Sequence, residues 1–275
     1  MRDDGRESAE STTTRSDFRS TPSGVWADVR SNRALDDGSM TPQVRSGAGA
    51  VGSAIVLGLV LGFWCRADSA TSGVEGALAD LGAPWIVTAF VAGAVTTAAG
   101  ASTVDEGAAR RSVVRVAPVA ALGAASGAAC LMLATFVYYG PARTGAMSVA
   151  GAVTPTIVWS VAGVAVGAMF GVAGAIWRAT TSTSLSTAAL VLVGTSIAAE
   201  AMWHLSQRTY GDEPRTAAML ASLAAIGVAL PCLAGDARRA GTGMALVALL
   251  AVPGAAVVET VSLATNGVVS AIRQR

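Results

Sequence analysis

Seven apolar stretches, each about as long as a hydrocarbon layer is thick, run through the chain from residue 48 onward and limit its fold more than any motif does. A window of about 19 residues places them near 48–65, 84–103, 116–137, 155–177, 185–203, 217–234 and 242–263. Backbone groups left unpaired in lipid cost several kcal/mol each, on the order that rules out open strands, and the runs lack the two-residue alternation of a membrane barrel. The pattern predicts an all-α polytopic transmembrane helical bundle of about seven spans, with six to eight compatible with the sequence. Pro253-Gly254 interrupts the last stretch and predicts either a kinked span or two half-helices.

Three regions follow. Residues 1–46 mix Arg with Asp and Glu among many Ser and Thr, which predicts a disordered polar tail; the other reading is an arm that folds on a partner. Residues 47–265 form the transmembrane domain, and 266–275 a short C-terminal tail, with 264–273 apolar enough to lie along a membrane surface. No basic start with a short apolar core stands at Met1, so the first span is expected to act as an uncleaved anchor.

With 52% hydrophobic and 13% charged residues, the lipid bilayer is the first partner the chain implies. The balance of 19 basic against 18 acidic residues lacks the basic surplus of a nucleic-acid binder. Glycine patterns that resemble nucleotide loops fall inside apolar spans, and no nucleophile elbow or metalloprotease helix occurs, so neither an enzyme nor a cofactor is expected. One His and three scattered Cys give no metal-ligand spacing. Cys65, Cys130 and Cys232 read as small buried residues, the first and last near opposite faces.

Every basic residue is Arg, and its placement orients the bundle. With the N-terminus inside, the inner flanks hold Arg30, Arg33, Arg45, Arg110, Arg111, Arg115, Arg178, Arg238 and Arg239, and the outer flanks Arg66, Arg143, Arg208, Arg215, Arg273 and Arg275. That bias favours a cytoplasmic N-terminus in the plasma membrane. Trp64, Trp85, Tyr138, Tyr139, Trp159 and Trp203 then gather toward the outer side. They suit either an interfacial belt or an aromatic-lined pocket for a flat or cationic solute, whereas Trp177 at the inner end suits the belt.

Small residues mark close helix packing. Gly163, Gly167 and Gly171 in "GVAVGAMFG" share one face at four-residue steps, and Gly58/Gly62 and Gly123/Gly127 repeat the spacing. The triple would serve helix packing within the chain, or else association with a second copy or a partner membrane protein.

The sharpest exception to the apolar pattern is Glu200 in "TSIAAEAMWHLSQR". A carboxylate deep in lipid costs about 2.5–3.5 kcal/mol, so it must face the interior, pair with a cation or take up a proton. Trp203 and the lone His204 follow three and four positions on, close to one helical face. Glu259 reaches a comparable depth if the last stretch crosses fully, and Arg66 or Arg143 would be near enough to neutralise one carboxylate. Glu200 with Trp203 and Glu259 is thus a candidate ligand site for a small solute or cation, and the plainer reading is a structural ion pair. His204 reads most simply as a polar group at the interface.

"PWIVTAFVAGAVTTAAG" from Pro84 and "PTIVWSVAGVAVGAMFG" from Pro155 suggest an internal repeat between two spans of the same direction. The series "GAPWIVTAFVAGA" (82–94), "FVYYG" (136–140), "VAVGAMFGVAGAIWR" (164–178) and "AAEAMW" (198–203) resembles an actinobacterial family of small multi-spanning membrane proteins known as a domain of unknown function, over about residues 48–240. That likeness implies a membrane protein without an established activity. "GVAVGAMFGVAGAIWR" is also similar to the substrate-capture subunits of energy-coupling-factor vitamin transporters. Those have six spans and both ends inside, unlike the arrangement expected here. The sequence leads to two readings: small-solute transport or capture through an outward-half site, and a non-catalytic scaffold or accessory subunit.

Overall fold

The computed structural model describes residues 42–68, 78, 81–101, 116–140, 149–180, 182–207 and 213–273. Apart from 42–46, the sequence assigned to a polar tail lies outside them, as do Arg143 and Arg208. Within the described residues the chain forms seven helices and no strand: α1 (Pro42–Asp68), α2 (Ala83–Ala101), α3 (Val116–Tyr139), α4 (Val149–Ala179), α5 (Thr183–Ser206), α6 (Pro214–Ala229) and α7 (Ala237–Arg273). Each predicted apolar stretch lies on one of them. Five helices are long and apolar enough to cross a membrane, counting α6 with the 3₁₀ turn Leu230–Ala234 that extends it; α1 and α2 contribute shorter apolar segments, Val51–Ala67 and Ala83–Thr97.

Helices α1 to α4 pack on one another through backbone, because glycine lets the axes approach. A methyl on Gly167 would overlap the Gly127 carbonyl, and one on Gly171 the Gly123 carbonyl, so α3 and α4 run antiparallel in tight register. Gly93 of α2 abuts the Gly171 carbonyl and Gly174 of α4 abuts that of Phe90. Gly62 of α1 would place a methyl 2.7 Å from the Ala134 carbonyl oxygen of α3. The hydroxyls buried in this packing do not break it: Thr96 and Thr135 donate to the carbonyls of Ala92 and Leu131 in the preceding turn of their own helices.

The second group is built on α5, which touches α6 at Gly194 and Gly227 and α7 at Ala199 and Gly254. Gly194 also approaches Val247 of α7. The order 194, 199 against 247, 254 makes α5 and α7 parallel. Contacts of α5 with α4 and α2 join the two groups.

Of the two forms expected for the last stretch, a kinked span or two half-helices, the structure shows one helix. It runs unbroken from Ala237 to Arg273 through Pro253, so 264–273 continue the helix axis instead of forming a separate surface segment. Pro253 is exposed. A proline ring on the outer face removes one amide from the ladder without meeting a packed neighbour, and membrane helices tolerate it.

Side-chain contacts fix which helix ends lie together. Trp85, at the start of α2, meets Tyr138 at the end of α3 with ring centres 5.9 Å apart; Tyr138 abuts Tyr139 at 4.6 Å, and Tyr139 stacks on Trp159 of α4 at 6.5 Å. Arg66 at the end of α1 donates to the Val137 carbonyl of α3 at 3.4 Å. These contacts define one aromatic end of the bundle. There α2 and α4, the two helices of the suspected repeat, both begin, so they run in the same direction and pack directly. Trp177 lies near the other end of α4, half-buried, and packs on Phe90 with 5.4 Å between ring centres.

Candidate functional site

At the aromatic end, Glu200 reaches from α5 to the start of α2. Its Oε1 accepts the Gly82 N–H, and the Ala83 N–H faces the same carboxyl. The first amides of any helix lack partners within it and carry the positive end of the macrodipole, so a carboxylate there supplies both an acceptor and charge complementarity. Pro84, just inside the helix, has no N–H to satisfy and pre-sets the helical φ. A side chain 118 positions away thus caps α2.

Gly82 makes the approach possible. A methyl on Gly82 would lie 2.9 Å from Oε1 and 3.3 Å from Oε2, so the carboxyl rests flat against bare backbone. Sequence reasoning picked Glu200 as needing a partner and named arginines as its source. The partner is main chain: among the described residues Glu200 is in no ion pair, and Arg66 reaches the end of α3 instead. The missed residues are Gly82 and Ala83, and the signal for them was the sequence Gly-Ala-Pro at the head of an apolar run. Such a sequence is a helix start with open amides.

The other oxygen, Oε2, is buried and makes no hydrogen bond. Three residues on, the indole Nε1 of Trp203 is also buried without a partner. Trp203 packs edge-on against His204, ring centres 4.5 Å apart, and His204 is only 7% exposed. The lone histidine is therefore part of the packed interior, not a polar group at the surface.

Glu259 has a different environment. The α5–α7 register sets it level with the last turn of α5, beyond Glu200 by about one and a half turns, or roughly 8 Å. It is exposed on α7, while Glu200 is turned toward α2. Among the described residues the two carboxylates share no partner. Gly163, Gly167 and Gly171 lie away from both, facing α3: Gly163 approaches the Thr135 hydroxyl at 3.2 Å, and the other two meet Gly127 and Gly123. That face is occupied within the chain. Of the cysteines, Cys65 and Cys130 are buried, whereas Cys232 is exposed, its sulfur 3.5 Å from that of Met244, because the 3₁₀ turn after α6 carries it outward.

Residues 109–267 match the model of a family of unknown function, DUF6518. The chain belongs to this family. The DUF6518 region begins before α3 and ends within α7, so it contains Glu200, Trp203, Glu259 and the glycine triple, and three of the four motifs that carried the sequence resemblance; Gly82 and the "GAPW" start of α2 precede it. No curated protein and no solved structure matches the chain.

Proposed function

We propose that this membrane protein captures or carries a small solute at the aromatic end of its helical bundle, with Glu200 and Trp203 in the binding site. The reading takes the bundle as seven spans in the plasma membrane with the N-terminus inside, as the arginine bias favours, which makes the aromatic end the outward one. It involves no catalytic step.

One observation carries the proposal: within an apolar span, Glu200 satisfies α2 with one oxygen and keeps the other buried and unpaired. A purely structural cap has no use for that second, desolvated acceptor, whereas intramembrane carboxylates commonly mark solute or ion paths. Glu259, level with the end of α5 and exposed, would lie near the entrance and not at the site itself.

The second reading is a scaffold or accessory subunit. What favours it is the outer surface of α6 and α7, whose apolar windows are only 17% and 11% buried. A partner or second copy would dock there, since the glycine triple faces α3.

The experiment is a thermal-shift screen of the detergent-purified chain, wild type and Glu200→Gln, against cations, vitamins and small metabolites. A ligand that binds only the folded state raises the midpoint by mass action. The capture reading expects a compound that stabilises the wild type and not the variant. If nothing in the screen moves the wild type while Glu200→Gln is less stable on its own, Glu200 is a cap and nothing more.

A further inference from the structure

Glu200 and Trp203 lie three residues apart on α5, so their side chains leave neighbouring positions on one side of the helix. Each brings one buried polar atom with no hydrogen-bond partner in the protein. The two atoms are complementary in kind: Oε2 of a carboxylate accepts, and the indole Nε1–H can only donate. They do not satisfy each other, for neither has a bond within hydrogen-bonding distance. Burial has removed both from water, and only a partner brought in from outside recovers that cost.

Neither atom can readily turn elsewhere. The carboxyl is held by Gly82 through Oε1, and the Trp203 ring is packed edge-on against His204. The other unpartnered oxygen of α5, the Thr195 hydroxyl, is more than a turn away, on the side of the helix where its methyl lies 3.9 Å from the Gly254 position of α7, and it belongs to a different contact.

We infer that the site takes a small solute bearing an N–H donor and a carbonyl or carboxylate acceptor one or two carbons apart, the chemistry of a short amino acid. The donor pairs with Oε2 of Glu200 and the acceptor with Nε1–H of Trp203. This rests on the capture reading above. A simple ammonium ion would satisfy Glu200 and leave the indole N–H without an acceptor. A simple carboxylate would satisfy the indole and meet Oε2 with like charge.

The test uses the full chain in detergent and follows its thermal midpoint against glycine and β-alanine (donor and acceptor), methylammonium (donor only) and acetate (acceptor only). Glycine or β-alanine should raise the wild-type midpoint at concentrations at least tenfold below those needed for methylammonium or acetate. Trp203→Phe keeps an aromatic ring and deletes the N–H, so it should bring the amino acid down to the methylammonium level; Glu200→Gln should remove the preference for amino compounds. Each variant is scored against its own ligand-free midpoint, so a loss of stability alone does not count. If methylammonium matches the amino acids in the wild type and Trp203→Phe changes nothing, the donor–acceptor inference is overturned while capture at Glu200 stands. If none of the four probes shifts the wild type, the inference is likewise overturned, and the wider screen with Glu200→Gln decides whether capture survives it.

Discussion

The two helix groups bury their surfaces by different means. In α1–α4, glycines set backbone on backbone across three helix pairs, and Gly171 alone meets both α2 and α3. In α5–α7, only α5 is well covered, while α6 and α7 leave residues such as Ile226, Leu249 and Leu263 largely exposed, the last two at 70% and 67%. Lipid is as apolar as leucine, so exposure of this kind carries no hydrophobic penalty in a membrane, and the tight packing of the first group must come from close van der Waals fit. Substitutions should be tolerated accordingly: the first group has no room for a Cβ at its seams, whereas in the second the tight positions are those packed on α5 and Gly243, which faces Pro231 of the 3₁₀ turn, and Gly241 and Gly267 meet nothing within 4 Å.

The largest effect should come from breaking a seam. Gly171→Leu forces a side chain into the Gly123 carbonyl and should destabilise the purified protein by about 3 kcal/mol or more, at or beyond the top of the usual overpacking range, or prevent its isolation. Gly241→Leu on α7, where nothing lies within 4 Å, should shift the thermal midpoint by the equivalent of no more than about 0.5 kcal/mol. Similar losses at both positions would erase the contrast between the groups.

Next in size is the polar link between them. Glu200→Ala uncaps α2 and should cost about 1–3 kcal/mol. Gly82→Ala should lose a comparable amount by a different route, because its new methyl displaces the flexible end of Glu200 and not a backbone.

The smallest effect is at the edge of α6, where Glu213 accepts hydrogen bonds from the Thr216 amide and hydroxyl at the helix start. The Thr216 bonds hold this carboxyl below its ordinary value. A depressed folded value means its contribution is present above the ordinary carboxylate range and fades as pH falls through the lower folded value. Glu213→Gln should therefore lower the midpoint slightly at neutral pH, where the charged carboxylate contributes, and leave it nearly unchanged in acid, where both side chains are neutral. A larger change in acid than at neutral pH would contradict the assignment.

The helices were legible because their signal is length and apolarity, which a bilayer reads almost independently of tertiary contacts. Seven stretches became seven helices with ends displaced by up to about ten residues, most at the end of α7. Pro253 left two forms open in the sequence, and its place on the exposed side of α7 lets one helix run on through it. The Glu200 site was half legible. Its carboxylate stood out against the apolar run, and so did its need for a partner, but that partner is a pair of main-chain amides, which carry no side-chain signature. Finding it in sequence would require knowing that α2 starts beside the end of α5, which no local pattern states.

The central claim is that Glu200 and Gly82 form one contact joining the two groups, and a double-mutant cycle measures it directly. Unfolding free energies of wild type, Gly82→Ala, Glu200→Ala and the double variant should be non-additive by at least about 0.5 kcal/mol, the double costing little more than either single, because each already removes the same cap. Losses that add to within about 0.3 kcal/mol would mean that the two residues act independently, and would contradict the account.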